Sequence, residues 1–333
     1  MKRIVVTGVV LLLVLFLLPV LLVDGPEDMQ EAAKPGVLPA LPSPVQTEQP
    51  VQPGEDELTT LRVALEDGTV AEMTMADYLW SVVAAEMPAA FEPEALKAQA
   101  VTARTYALWK MAAGDADHPD ADVCTDITCC QAYITPEQAA VNWGSAAAVY
   151  KQKITSAVNS TNGQVITYEG EPIQAVFFSS AAGRTEDAVA VWGSAVPYLV
   201  GVDSPEGEGV PNYETEVTLA AAELKKLVLA RYPGADLSGS PKDWFQNRTL
   251  TASGRVDTMD VGGITLKGTE VRTLFGLRSA CFTVETDTDT ITFHVTGYGH
   301  GVGMSQYGAN ALAKEGKTCE EILKWYYTGV EIG

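Results

Sequence analysis

Positive charge is scarce in this chain. Its 333 residues carry 22 Lys and Arg against 43 Asp and Glu, a formal net charge of −21. Lys2 and Arg3 stand before the first apolar run, so beyond Val23 there are 20 basic residues for 43 acidic ones, a net of −23. Such a surface repels DNA, RNA and teichoic-acid-like polyanions, which bind through clustered Lys and Arg. A neutral or weakly charged polymer is the expected partner, and no nucleic acid. Also missing is a Lys-Ser or Lys-Thr step after the glycine-rich stretch at 297–308, which makes a phosphate-cradling loop a poor fit. Regular βαβ alternation and convincing internal repeats are absent too, which leaves a mixed α+β fold as the expectation.

The chain opens with one long hydrophobic run. Ile4 to Val23 is 20 residues without a charge, long enough at about 1.5 Å per residue to cross a hydrocarbon layer of about 30 Å. Lys2 and Arg3 on its amino side place that end in the cytoplasm and everything after Asp24 outside. Leu21, Leu22 and Val23 run straight into Asp24 with no Ala-x-Ala-like step, so an uncleaved single-pass anchor in the cell membrane is expected rather than a cleaved signal. Residues 24–57 contain Pro26, Pro35, Pro39, Pro42, Pro44, Pro50 and Pro53 among Glu, Gln and Ser. That composition reads as a disordered tether. Residues 58–333 are then one mixed extracytoplasmic domain, or two lobes of one.

Within 58–333 the turn Glu66-Asp67-Gly68-Thr69 pairs a strand at 62–65 with another at 70–73. Thr74 is an N-cap with Asp77 at N3, and Pro88 ends the helix by excluding the helical conformation at Met87. A second helix starts near Pro93 and runs to Gly114 with an alanine-rich face. Further on, a hairpin is expected from 164–168 and 173–180, a helix over 219–232, and strands at 255–261 and 282–295.

Three features carry possible chemistry. Glu86 shares a helical stripe with Leu79, Val82 and Val83, so a carboxylate lies on a face that should be buried. Desolvation would raise its pKa as a general acid requires; a structural pairing across the core with Arg104 explains the position equally well. Glycine occupies every second position from Gly297 to Gly303, with His300, Ser305, Gln306 and Tyr307 among and after them, and suggests a backbone-lined binding surface. His118, Cys124, Cys129 and Cys130 put one imidazole and three thiols into 13 residues, the nitrogen and sulfur set that zinc prefers. A structural zinc is expected there. Adjacent cysteines do not readily share one ion, and disulfide pairing with one of the five cysteines left over is the alternative.

Ala84-Ala85-Glu86-Met87-Pro88, the run from Glu94 to Tyr106, Ser160 to Tyr168, Phe178 to Thr185, Pro197-Tyr198-Leu199 and the glycine run occur together and in order. In these motifs the chain resembles the stage II sporulation protein D family, which also includes amidase enhancers, over nearly all of 58–333. The resemblance implies a peptidoglycan lytic transglycosylase acting during forespore engulfment, with Glu86 in the place of the catalytic glutamate and Arg104 and Tyr198 at positions tied to activity. It also implies glycan strands stripped of stem peptides as substrate, and a partner amidase of the stage II sporulation protein P type. Where relatives carry Lys two residues beyond the Tyr and His before the paired Ser, this chain has Val200 and Phe178. Gln99, Arg104, Ser179, Ser180, Tyr198, His300, Gln306 and Tyr307 are the expected substrate-binding residues, and no cofactor is needed for the chemistry. A non-catalytic glycan-binding amidase enhancer is the second reading.

Overall fold

The computed structural model describes residues 53–114, 118–206 and 209–333. The expected anchor and nearly all of the expected tether lie outside them. Among the described residues no helix is long and apolar enough to cross a membrane. The folded part begins before the expected boundary at Leu58, because Glu55–Leu58 is already helical and Asp56 is buried.

The first elements follow their sequence signals. Thr60–Ala64 and Val70–Thr74 pair antiparallel, Thr60 opposite Thr74 and Ala64 opposite Val70. The Thr74 hydroxyl then accepts from the Asp77 N–H and donates to its carboxylate, capping the helix Met75–Glu86. Met87 is extended, as the following Pro88 demands. Pro93–Ala113 is the central helix: Ala95, Ala98, Ala100, Ala103 and Ala107 are fully buried. These short side chains let the helices Met75–Glu86, Ala147–Ser160, Gln306–Lys314 and Cys319–Tyr326 pack closely around it.

The residues sort into two hydrophobic cores. The first gathers the helices just named with Leu61, Val63, Ile166 and Val302. The second lies between the sheet formed by Glu214–Ala220, Thr290–Thr296 and Phe282–Thr286, the strands Thr258–Val261 and Ile264–Lys267, and the helices Ala221–Arg231 and Gly268–Phe275. Phe293 is its centre, with Phe245, Phe275 and Phe282 rings 4.9–5.8 Å away. The fold is mixed α+β, built on several small sheets.

Two expectations need correction. The hairpin of 164–168 with 173–180 is much shorter: Ile166–Tyr168 pairs only with Glu171–Pro172, and its other edge is taken by Glu331–Ile332. Phe177–Phe178 leaves to pair in parallel with Met304–Ser305. The strand Glu214–Ala220 was hidden by the helical pattern just after it, although Glu-Thr-Glu-Val-Thr-Leu-Ala alternates half-buried with exposed residues as a one-faced strand does.

Candidate active site

Glu86 is the last residue of its helix, and Pro88 turns the chain away so that the carboxylate projects from the helix end. It is half-buried. Oε1 accepts from the Ala132 N–H at 2.7 Å and Oε2 from Gln306 Nε2 at 3.3 Å. Burial raises its pKa above the ordinary carboxylate value, and these two bonds pull it down only in part. No ion pair holds it among the described residues.

The alternative partner is engaged elsewhere. Arg104 makes two bonds of 2.6 and 2.7 Å to Asp56 and a third to the Gln164 carbonyl, with both charged side chains almost fully buried. It fastens the segment Glu55–Leu58 to the central helix and does not line the cleft. Gln99 is also removed from it: the residue is fully buried on the central helix, and neither amide atom has a protein partner.

Glu86 sits where two cavities meet. One, of about 670 Å³, is lined by Glu86, Tyr106, Gln174, Ser179, Arg272 and His300 among others; the second, of about 370 Å³, by Glu86, Pro88, Trp143, Ser179, Gln306 and Tyr307. A third cavity, also about 670 Å³, lies on the sheet of the second core. Its carboxylates Glu214 and Glu216 are exposed, so the Glu86 cleft is the candidate for acid–base chemistry.

Of the expected binding residues, Ser179, His300, Gln306 and Tyr307 come together here. Tyr307 packs edge-on against Phe91, ring centroids 5.0 Å apart, and its N–H donates to the Ser179 carbonyl. Ser180 does not join them; it is buried and exchanges two backbone bonds with Tyr298. Tyr198 stands behind the wall, its hydroxyl accepting from the N–H of Gln174. His300 has neither nitrogen to offer a ligand. Nε2 bonds the Phe177 carbonyl at 3.0 Å and Nδ1 accepts from the Val302 N–H at 3.1 Å. Burial lowers its pKa to about 4, so the ring is neutral at pH 7 and contributes a face between Phe178 and Trp192.

The glycines of the run form a backbone seam, while side chains set among them line the cavities. At Gly299, φ is +116°, and a Cβ there would stand 2.7 Å from the Phe178 Cβ. The run lies against residues 176–180 through the Ser180–Tyr298 bridge and the Met304–Phe177 pairing. Of the stretch 297–308, Tyr298, Gly299, His300 and Gln306 reach the larger cavity, and Gln306 and Tyr307 the smaller one.

Sequence reasoning missed Trp192, Tyr298 and Arg272 in the cleft wall. Trp192 and Tyr298 are 45% and 42% exposed, which makes them available as flat stacking surfaces rather than core. Nothing in the local pattern marks Trp192 or Arg272, which join the wall only through tertiary packing, whereas Tyr298 lies within the glycine run itself.

His118, Cys124 and Cys129 each bring one ligand atom to within 4.8 Å of the others. Cys130 lies beside them, its sulfur 3.7 Å from that of Cys129, but it accepts from the Cys124 N–H and falls outside the trio. None of the five cysteines is bonded to another, so the disulfide alternative has no bridge in this structure. One nitrogen and two sulfurs at this spacing fit a zinc ion, with another group or water in the fourth place. The segment carrying Cys129 and Cys130 continues directly to Ala132, whose N–H holds Glu86.

The family model "SpoIID: Stage II sporulation protein" matches residues 66–168. The chain is 38% identical to stage II sporulation protein D of Bacillus subtilis (strain 168), over all of this chain and 96% of that protein. It is 42% identical to stage II sporulation protein D of Bacillus amyloliquefaciens, over 79% of this chain and 75% of that one. It is also 31% identical to an amidase enhancer of Bacillus subtilis (strain 168), over 76% of this chain and 40% of that one. With Glu86 at a cleft and this likeness along its whole length, the chain belongs to the stage II sporulation protein D family.

Proposed function

We propose that this protein is a lytic transglycosylase that cleaves the bond between N-acetylmuramic acid and N-acetylglucosamine in peptidoglycan glycan strands during sporulation. The observation that carries the reading is a single half-buried glutamate, its pKa raised by burial, at the junction of two cavities. A hydrolase positions two carboxyl groups about 5 to 9 Å apart, the second acting on water or on the sugar. Transglycosylation needs one. Protonated Glu86 gives its proton to the glycosidic oxygen as the C1–O bond breaks. The carboxylate then takes the proton of the muramyl C6 hydroxyl, whose oxygen closes on C1 to form the 1,6-anhydro ring. Gln306 keeps Glu86 oriented, and Trp192 and Tyr298 offer faces to the sugar rings.

The substrate lies outside the membrane, so the chain would be held by a single span at Ile4 to Val23 with its folded part extracytoplasmic. Stem peptides would be removed by a partner amidase of the stage II sporulation protein P type. Zinc on His118, Cys124 and Cys129 would be structural, bracing the wall that carries Ala132. The amidase-enhancer relative favours a second reading, a glycan binder without catalysis.

Glu86→Gln separates the two. The variant should release no fragments with 1,6-anhydro-N-acetylmuramic acid ends while still binding glycan. Because the folded state holds the Glu86 proton to higher pH than the unfolded state does, wild-type stability should fall as pH rises from the ordinary carboxylate value through the raised one. The melting temperature of Glu86→Gln should therefore gain on wild type across that window. Undiminished anhydro release by the variant would refute the catalytic assignment.

A further inference from the structure

In a chain with almost twice as many acidic as basic residues, arginines should not lack carboxylate partners, yet three gather unpaired beside the Glu86 cleft. Arg272 lines the larger cavity from the helix Gly268–Phe275. Its Nε donates to the Leu277 carbonyl, and among the described residues its two Nη groups have no hydrogen-bond partner. Arg278 lies over the ring of Tyr298, another lining residue, at 3.8 Å, with its buried Nε unpartnered. Arg255 is buried behind Gly299, which accepts from its Nη1; Nε and Nη2 have no hydrogen-bond partner among the described residues, although the buried carboxylates of Glu186 and Glu206 act on its charge. None of the three forms an ion pair among the described residues.

A guanidinium that lines a cleft without an ion pair, as Arg272 does, suits an anion that arrives with the ligand. The guanidinium fork matches a carboxylate through two parallel N–H bonds. On the glycan reading proposed above, on which this inference rests, the strand has one such group. The lactyl ether of each muramic acid ends in a free carboxylate when no peptide is attached, and in an uncharged amide when a stem peptide is present.

We propose that Arg272, supported by Arg278 on Tyr298, is the specificity-determining residue that recognises the free lactyl carboxylate of a peptide-free muramyl unit. Glu86 lines the same cavity, so the carboxylate is read next to the bond to be cleaved. Peptide-bearing strands lack the anion and lose the contact.

The test is equilibrium binding to full-length Glu86→Gln protein in detergent, which requires no turnover. Two ligands of equal length are compared: peptide-free peptidoglycan glycan, and chitin oligosaccharide, which has no lactyl group. The muramyl glycan should bind more tightly, with an advantage that shrinks as salt rises. Adding Arg272→Met should weaken the muramyl ligand roughly 10- to 100-fold, the range for a hydrogen bond to a charged group, and leave chitin binding unchanged. Should that variant not fold, Arg272→Lys, which keeps the charge without the fork, is read on the same ligands and should lose part of the preference. Equal weakening of both ligands, or an unaltered preference, overturns the proposal. If the Glu86→Gln protein with Arg272 intact holds neither ligand, the glycan reading itself falls, and this inference with it.

Discussion

Arg104 and Glu86 look alike in the sequence, each a charge on a helix face that should be buried, and the fold gives them opposite fates. Arg104 is locked to Asp56 by paired bonds in the interior, whereas Glu86 has only neutral donors at a cleft. Removing one member of a buried ion pair strands the other, so Arg104→Met should destabilise the protein by about 3 to 5 kcal/mol. Joint replacement with Asp56→Leu should recover much of that loss in urea unfolding. An Arg104→Met protein of normal stability and poor glycan binding would return Arg104 to the cleft. The stripe of Leu79, Val82 and Val83 was sufficient to single out Glu86. Asp56 lay in the Pro-rich stretch read as tether, so Arg104's partner was not legible. His300 was found for its place in the glycine run, but its role was misread, because both nitrogens bond backbone groups that local sequence does not reveal.

Elements were legible in proportion to their length and caps. Thr74 with Asp77, Pro88 and Pro93 announce the two helices that position Glu86, and both formed as expected. Pairings of two residues, such as Phe177–Phe178 with Met304–Ser305, leave no periodic trace, yet they bring Ser179 to Gln306. The segment from His118 to Ala132 lies between these cases. Its ligand set was visible, while its link to Glu86 through the Ala132 N–H was not. If zinc braces this segment, chelation should lower the melting temperature by at least a few degrees and reduce glycan cleavage along with it. Metal analysis before and after chelation must show a matching loss of zinc. Unchanged stability in a sample shown to have lost its metal would remove the ion from the account.

Across the whole molecule, two cores meet at the cleft. The first contributes Glu86, Gln174 and Tyr106, and the helix Gly268–Phe275 of the second contributes Arg272. Composition favours a neutral or weakly charged polymer. It does not reveal that Arg272 lines the cleft with Arg278 and Arg255 nearby, because a net charge carries no information about position. The mixed α+β class was readable from the order of patterns. The meeting of two cores at one cleft was not, since it depends on contacts between residues far apart in the chain. The central claim is that no water attacks the sugar. Digesting peptide-free glycan with the full-length protein in heavy-oxygen water and analysing the fragments by mass spectrometry tests it directly. The account predicts 1,6-anhydro ends that carry no heavy oxygen; reducing ends labelled with it would contradict the account.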